Sequence, residues 1–432
     1  MSSLGRLMLR ERRVGRSVLS SSSLTFSRKQ YSPSVSSLSL MMDSVRLFSS
    51  DSRNNKDTAA PLVAKRSSPS ILKAYSELSK ARLSALVVAT TAAGFVAAGG
   101  PHFCPATLAA CCTGTALCSS SAAALNQIFE SHLDAKMKRT QQRPLVQGTL
   151  TQTQASVAAT AWGLAGTGIL AYTTDPVTTL LGASNIVLYA GVYTYMKQHS
   201  VYNTWVGAVV GAIPPVMGWS AATGGQVWDP EAILLGATLY LWQMPHFFAL
   251  SYMHRLDYAR GGFQMVPVLE ENGDRTSQLI TRYTWYLSTI PVLTTVLDVT
   301  NSMFLYEGVA LNTYALYVAY KFQYERSNAN ARKVFLTSLW YLPCLLMLLL
   351  LHSKTWDDVD EEKVENPLRG YIASSIHAAR DAGRQLCLHE TAINKTEDGE
   401  KACPVKLGKK TSNEIAEQAK TTIVLEQESS RA

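Results

Sequence analysis

Apolar residues collect into long runs between Ser84 and Leu351, divided by short polar loops. The runs cover 84–100, 108–129, 154–172, 176–195, 204–221, 230–250, 279–299, 303–323 and 333–351. Each is near the roughly 20 residues that a helix needs to cross a bilayer. The pattern predicts an all-α fold, a polytopic membrane bundle of about nine transmembrane helices. Gly, Ala, Ser and Thr dominate the first five runs, and such small residues let membrane helices pack closely. Pro214-Pro215 in the fifth run predicts a kink that widens a cavity.

The loops alternate in charge. Lys73, Lys80 and Arg82 precede the first run, Lys136, Lys138, Arg139 and Arg143 follow the second, and Lys197 follows the fourth. His254, Arg255, Arg260 and Arg275 follow the sixth, while Lys321, Arg326, Arg332 and Lys333 surround the eighth-to-ninth connection. The loops near Gly100–Pro105, Asp175, Ala222–Glu231 and Asp298–Ser302 carry no Lys or Arg. Such a bias sets orientation, and the alternation survives only if every run crosses.

Outside the runs the chain changes character. Residues 1–50 carry Arg6, Arg10, Arg12, Arg13, Arg16, Arg28, Lys29 and Arg46 against Glu11 and Asp43, with abundant serine. This composition predicts a mitochondrial transit peptide, which makes the membrane the inner one and the basic loops matrix-facing. Residues 51–75 read as a polar linker, 76–352 as the membrane domain, and 353–432 as a charged tail on the opposite side. The tail holds too few apolar residues for a core and is expected to be mostly disordered, apart from an amphipathic helix near Tyr371–Leu388. The net charge of +8 lies mainly in the leader and short loops, so it is no nucleic-acid signature. Seven cysteines form no CxxC pair, which indicates neither a zinc site nor a disulfide framework.

Carboxylates near a membrane core mark function. The densest group is Asn126-x3-Glu130-x3-Asp134-x3-Lys138, whose spacing of four keeps one helical stripe. Two carboxylates and an amide suit Mg²⁺, and Lys138, Arg139 and Arg143 suit phosphate. The same spacing equally fits a solvated helix end with ordinary i,i+4 pairs. After the sixth run, Asp257 offers another metal ligand and Arg255 and Arg260 offer phosphate contacts. His246 reads either as a contact to substrate or as a hydrogen-bonded interhelical histidine.

At these residues the sequence resembles the UbiA prenyltransferase superfamily. Asn126-x3-Glu130-x3-Asp134 stands where that family has its first Asp-rich motif, and Asp134-x4-Arg139-Thr140-x2-Arg143-Pro144-Leu145 resembles its continuation. Three segments resemble the heme-farnesylating branch. They are Leu78-Ser79-Lys80-Ala81-Arg82-Leu83; Tyr193-Thr194-x2-Lys197 with Asn203 and Gly207-x3-Gly211-Ala212-Ile213-Pro214-Pro215-x2-Gly218-Trp219; and Trp242-Gln243-Met244-Pro245-His246-Phe247 with Asp257-Tyr258-Ala259-Arg260. Glu130 replaces a more common Asp, Leu256 stands where relatives often have an acid, and Gln264 where many bacterial relatives have Pro.

The resemblance implies a UbiA-like bundle that transfers farnesyl from farnesyl diphosphate to a vinyl group of heme B, with Mg²⁺ as cofactor. It implies catalytic roles for Asn126, Glu130, Asp134, Lys138, Arg139, Arg143 and Asp257, with Asn126, Glu130, Asp134 and Asp257 as metal ligands. It implies substrate contacts at Lys80, Arg82, Tyr193, Lys197, Asn203, His246, Arg255, Tyr258 and Arg260. The implied partners are the two substrates, inner-membrane lipid and the downstream heme A synthase, with no nucleic acid. Cys403-Pro404, and Cys387 beside His389, resemble heme-handling sequences, although composition favours an incidental origin. Rival readings are transfer of a polyprenyl group to 4-hydroxybenzoate, and a multispanning carrier.

Overall fold

A computed structural model describes residues 70–100, 102–357 and 367–386. The leader, the linker up to residue 69, and Cys387, His389 and Cys403 lie outside the described residues. An amphipathic helix, α1 (Ile71–Leu78), leads into α2 (Ala81–Ala98), α3 (Pro105–Asp134) and α4 (Gln152–Thr173). α5 (Pro176–Val187) continues through a π-helical turn, Leu188–Tyr193, into α6 (Thr194–His199). Then come α7 (Asn203–Thr223), α8 (Pro230–Met253), and two short helices, α9 (Arg255–Arg260) and α10 (Val266–Leu269). α11 (Asp274–Ser288) and α12 (Ile290–Val296) share the seventh apolar run. α13 (Ser302–Tyr324), α14 (Asn328–His352) and α15 (Pro367–Leu386) complete the described chain.

Local chemistry starts these helices where the polar breaks fall. Pro occupies the first turn of α3, α5 and α8, where its missing N–H costs nothing. Asp175 accepts from Thr178 N, Asn301 from Met303 N and Ser327 from Asn330 N, capping α5, α13 and α14. Thr151 and Gln154 form a capping box on α4. Gly99 and Gly224 end α2 and α7 in left-handed conformations.

Every apolar run falls on helix. Among the described residues, six helical stretches are long and apolar enough to cross a membrane: α2, α3, α5 through α6, α7, α8 and α14. α4, the broken α11–α12 pair and α13 fall short of that standard, so length and apolarity alone support fewer crossings than nine. The seventh run breaks between Ser288 and Ile290, ahead of Pro291.

α3 packs along α4, α2 along α7, and α8 against α7, α11 and α14. At the α2–α7 crossing a Cβ on Gly94 would overlap the Pro215 carbonyl, and one on Gly218 the Thr91 carbonyl. Backbone meets backbone there, as small residues permit. Pro214 and Pro215 stay within α7, and Pro214 lines a cavity.

The loops gather at two ends. At the basic end Lys197 pairs with Glu130, Tyr252 OH donates to the Arg326 carbonyl, and Arg326 pairs with Asp274. At the other end His102 N donates to the Ala222 carbonyl, Ser220 Oγ to Asp175, and Thr300 bridges Ser353. α15 docks at this second end and starts before the expected Tyr371. Ala373 is buried in a cluster with Phe95, Phe103 and Trp356, and Leu368, Ile372 and Ile376 pack against it. Arg380 donates to the carbonyls of Leu351 and Ser353 and pairs with Asp357. This part of the tail is packed structure.

Candidate active site

The site forms where α1, α2, α3 and the π-helical turn meet. Lys80, between α1 and α2, has a left-handed backbone (φ 50°). A non-glycine residue pays about 1–3 kcal/mol for such a conformation, so surrounding contacts must hold it. Gln127 Nε2 donates to the carbonyls of Glu77 (3.0 Å) and Leu78 (2.8 Å), tying the end of α1 to α3. Lys80 Nζ donates to Asn126 Oδ1 at 2.8 Å and Tyr189 OH at 3.1 Å. Burial, and then the neighbouring Arg143 and Lys197, lower the Lys80 pKa, while Glu130 and Asp134 oppose that shift and favour its ammonium form.

Asn126, Glu130 and Asp134 are buried on one stripe of α3, as their spacing requires. Each faces a cation. Lys80 holds Asn126, Lys197 Nζ lies 2.8 Å from Glu130 Oε1 in an ion pair off the hydrogen-bonding angle, and Arg143 pairs with Asp134 Oδ2. Asn126 Nδ2 donates to Thr194 Oγ1 at 3.0 Å, and that hydroxyl donates on to the Tyr189 carbonyl at 2.9 Å, within the π-helical turn. Turns of this kind are frequent at functional sites.

The stripe ends sooner than its spacing suggests. α3 stops at Asp134, whose carbonyl accepts Thr140 Oγ1 at 3.0 Å as the chain reverses. Lys138, expected as the fourth member, is therefore exposed and off the stripe, while Arg143 folds back onto Asp134.

The other expected residues divide. Tyr193 joins the site: its ring lies 5.5 Å from that of Tyr189 and 4.6 Å from Lys197 Nζ. Arg139 reaches Tyr258 at 3.5 Å, and Tyr258 packs with Leu133 and Met137 beside the end of α3. Asp257 pairs with Arg260 Nη1 at 2.8 Å in α9. Arg82 and Arg260 are exposed at the basic end. Asn203 Nδ2 donates to the carbonyls of Ser200 (2.6 Å) and Gln264 (2.8 Å), fixing the loop after α9 against the start of α7. Arg255 donates to the Tyr252 carbonyl (2.8 Å) and Asn328 (3.0 Å), joining α8 to α14.

His246 sits on the α8–α14 seam. Its Nδ1 is 2.8 Å from Ser338 Oγ, and its ring lies between Trp242 and Phe335 with centroids 4.8 Å from each. Other motif residues also make interhelical bonds. Trp242 Nε1 donates to the Ser338 carbonyl at 2.8 Å, Gln243 Nε2 to the Ala208 carbonyl at 3.1 Å, and Trp219 Nε1 to Asp229 at 2.8 Å.

Tyr189 was not singled out from sequence. The available signal was its spacing of four before Tyr193 and eight before Lys197. It also lines an apolar cavity of about 90 Å³ with Leu83, Val87, Ala122, Ile186 and Pro214. That volume is below the roughly 300–1,000 Å³ of typical ligand clefts, so a long ligand must part the helices. A charged cluster thus meets an apolar chamber at one tyrosine.

The residues fit a divalent cation in part. Asp134 Oδ1 is buried and takes no hydrogen bond, and Asn126, Glu130 and Asp134 present hard oxygens. Among the described residues no three His, Cys, Asp or Glu side chains converge as a cage, so further oxygens must come from substrate or water.

The sequence profile of the UbiA prenyltransferase family matches residues 87–347. The chain is 45% identical over 273 residues to human mitochondrial protoheme IX farnesyltransferase, covering 63% of this chain and 60% of that protein's length. It is 39% identical over 320 residues to the Arabidopsis thaliana protein of the same description, covering 72% and 73%. A solved digeranylgeranylglyceryl phosphate synthase shares the fold at a TM-score of 0.56 and 13% identity, over 65% of this chain and 98% of that one. The chain belongs to the UbiA prenyltransferase family.

Proposed function

We propose that this chain transfers the farnesyl group of farnesyl diphosphate to a vinyl group of heme B, giving heme O, in the mitochondrial inner membrane. The relatives' activity supports the reading. The observation that carries it is the meeting of three cations and the Asn126–Glu130–Asp134 stripe with an apolar chamber at Tyr189. A diphosphate suits the first and an isoprenoid tail the second.

Asn126, Glu130 and Asp134 would hold Mg²⁺, which when bound supplies Lewis-acid charge to the leaving diphosphate. Lys80, Arg143 and Lys197 stabilise the negative charge that grows there as the bond to farnesyl C1 breaks. Lys197 is buried and the other two are half-buried, and that setting strengthens the effect. The vinyl electrons form the new bond to C1, and water then adds to the vinyl-derived cation and releases a proton, leaving a hydroxyethylfarnesyl substituent. The Tyr189 and Tyr193 rings and the chamber walls keep water from the allylic centre until the carbon–carbon bond has formed.

Heme extracted from cells that lack heme O synthase and express this chain should contain heme O. Inserted protein with no farnesylated heme overturns the reading. Restored ubiquinone in a strain blocked at 4-hydroxybenzoate prenylation would move it to that reaction.

A further inference from the structure

Each proposed ligand on the α3 stripe is already engaged by one cation: Lys80 on Asn126 Oδ1, Lys197 at Glu130 Oε1 and Arg143 on Asp134 Oδ2. The cations come from three places in the chain, namely the α1–α2 junction, α6 and the loop after α3. Only Asp134 Oδ1 is buried without any such contact. A divalent ion that takes Asn126 Oδ1, Glu130 Oε1 or Asp134 Oδ2 must therefore displace a cation, and each displaced cation needs a new anion. In a buried site an uncompensated charge is strongly destabilising.

From this one-to-one pairing we infer that Lys80, Lys197 and Arg143 are exchange partners that make metal and diphosphate binding mutually dependent. When both arrive, the carboxylates and the amide pass from the cations to the metal, and the released cations pass to the diphosphate oxygens. Metal alone adds positive charge to a cluster in which three cations already face two carboxylates. Diphosphate alone brings negative charge against Glu130 and Asp134. Together the added charges offset, and every buried group keeps an opposite partner. This rests on the proposed prenyl-transfer site and adds a specific coupling to it.

The test uses the purified full chain in detergent, with Mn²⁺ and inorganic pyrophosphate as probes. Melting temperature is read with each alone and with both, and Mn²⁺ affinity without pyrophosphate is read from the paramagnetic resonance of free Mn²⁺. In the wild type the joint rise in melting temperature should exceed the sum of the separate rises. Lys197→Met should bind Mn²⁺ alone about tenfold more tightly, within the usual range of coupling between sites, and pyrophosphate alone about tenfold more weakly. These opposite signs are not what a merely structural lysine gives. If Lys197→Met does not fold, Lys80→Met carries the same test at Asn126, with the same opposite signs expected. Additive wild-type shifts, or variants with unchanged or weaker Mn²⁺ affinity, overturn the exchange. A wild-type chain that makes heme O yet shows additive shifts removes the exchange and leaves farnesyl transfer standing. One that binds neither probe in any mixture and makes no product removes both.

Discussion

Asp134 shows most directly how one side chain ties packing to chemistry. It is about 1% exposed, one oxygen is held by Arg143, and the other takes no hydrogen bond. Removing the carboxylate bares Arg143, and breaking a buried pair costs on the order of 3–5 kcal/mol. Asp134→Asn keeps the volume and is the better probe. It should lower prenyl transfer at least about a hundredfold, the size expected when a group stabilising transition-state charge is lost. Product formation and a melting curve together check this, and near wild-type turnover would remove Asp134 from the site. Tyr189→Phe keeps the chamber wall but loses the acceptor of Lys80. A hydrogen bond to a charged group is worth about 1.5–3 kcal/mol, so turnover should fall about ten- to a hundredfold. Steady-state rates at saturating substrate measure it.

At the scale of elements, the close crossing of α2 and α7 decides whether the site assembles, because α2 begins at Lys80 and α7 follows Lys197 in the chain. Gly218→Val places side-chain carbon on the Thr91 carbonyl and Gly94→Val on the Pro215 carbonyl. Either change should prevent accumulation of folded protein. Gly168→Ala, on α4, meets nothing within 4 Å and should be neutral or slightly stabilising, since alanine gains up to about 1 kcal/mol over glycine in a helix. Monodisperse elution in detergent separates the three variants. α15 belongs to the opposite end, away from the proposed chemistry. A chain ending at Asp357 keeps Trp356, which is wholly buried, and loses the α15 contacts. It should melt several degrees lower yet still make product. Loss of product from a stably inserted form would give α15 a role in turnover.

The described helical bundle has two unlike ends. The candidate site, the α3–α4 loop and the α8–α11 connection share the basic end, while α15 packs at the other. α3 has 30 residues, about 45 Å at 1.5 Å each, which exceeds the roughly 30 Å hydrocarbon core. Its Glu130–Asp134 end can therefore lie near the headgroups, where a diphosphate is soluble, while the isoprenoid tail enters the chamber. On the proposed inner-membrane placement, matrix-facing Lys- and Arg-rich loops predict that an epitope after Ala432 faces the intermembrane space. Protease added to mitoplasts should remove that epitope, and a protected epitope would reverse the orientation.

The amino-acid sequence by itself determined the helices, their approximate limits and the Asn126–Glu130–Asp134 stripe. All three follow from local rules: apolar run length, capping chemistry and a helical period that places every fourth residue on one face. It also marked Lys80, Lys197 and Arg143, but it did not pair them with particular oxygens. Those pairs join α1–α2, α6 and the α3–α4 loop to α3, and they depend on a backbone crossing at Gly94 and Gly218 and a π-helical turn that no periodicity reveals. The same limit explains the misplaced Lys138. Helical spacing holds only while the helix lasts, and the fold of the loop decided that it ends at Asp134. His246 and Asn203 belong to this second class too, because tertiary packing alone determines whether a buried polar side chain meets another helix or a ligand.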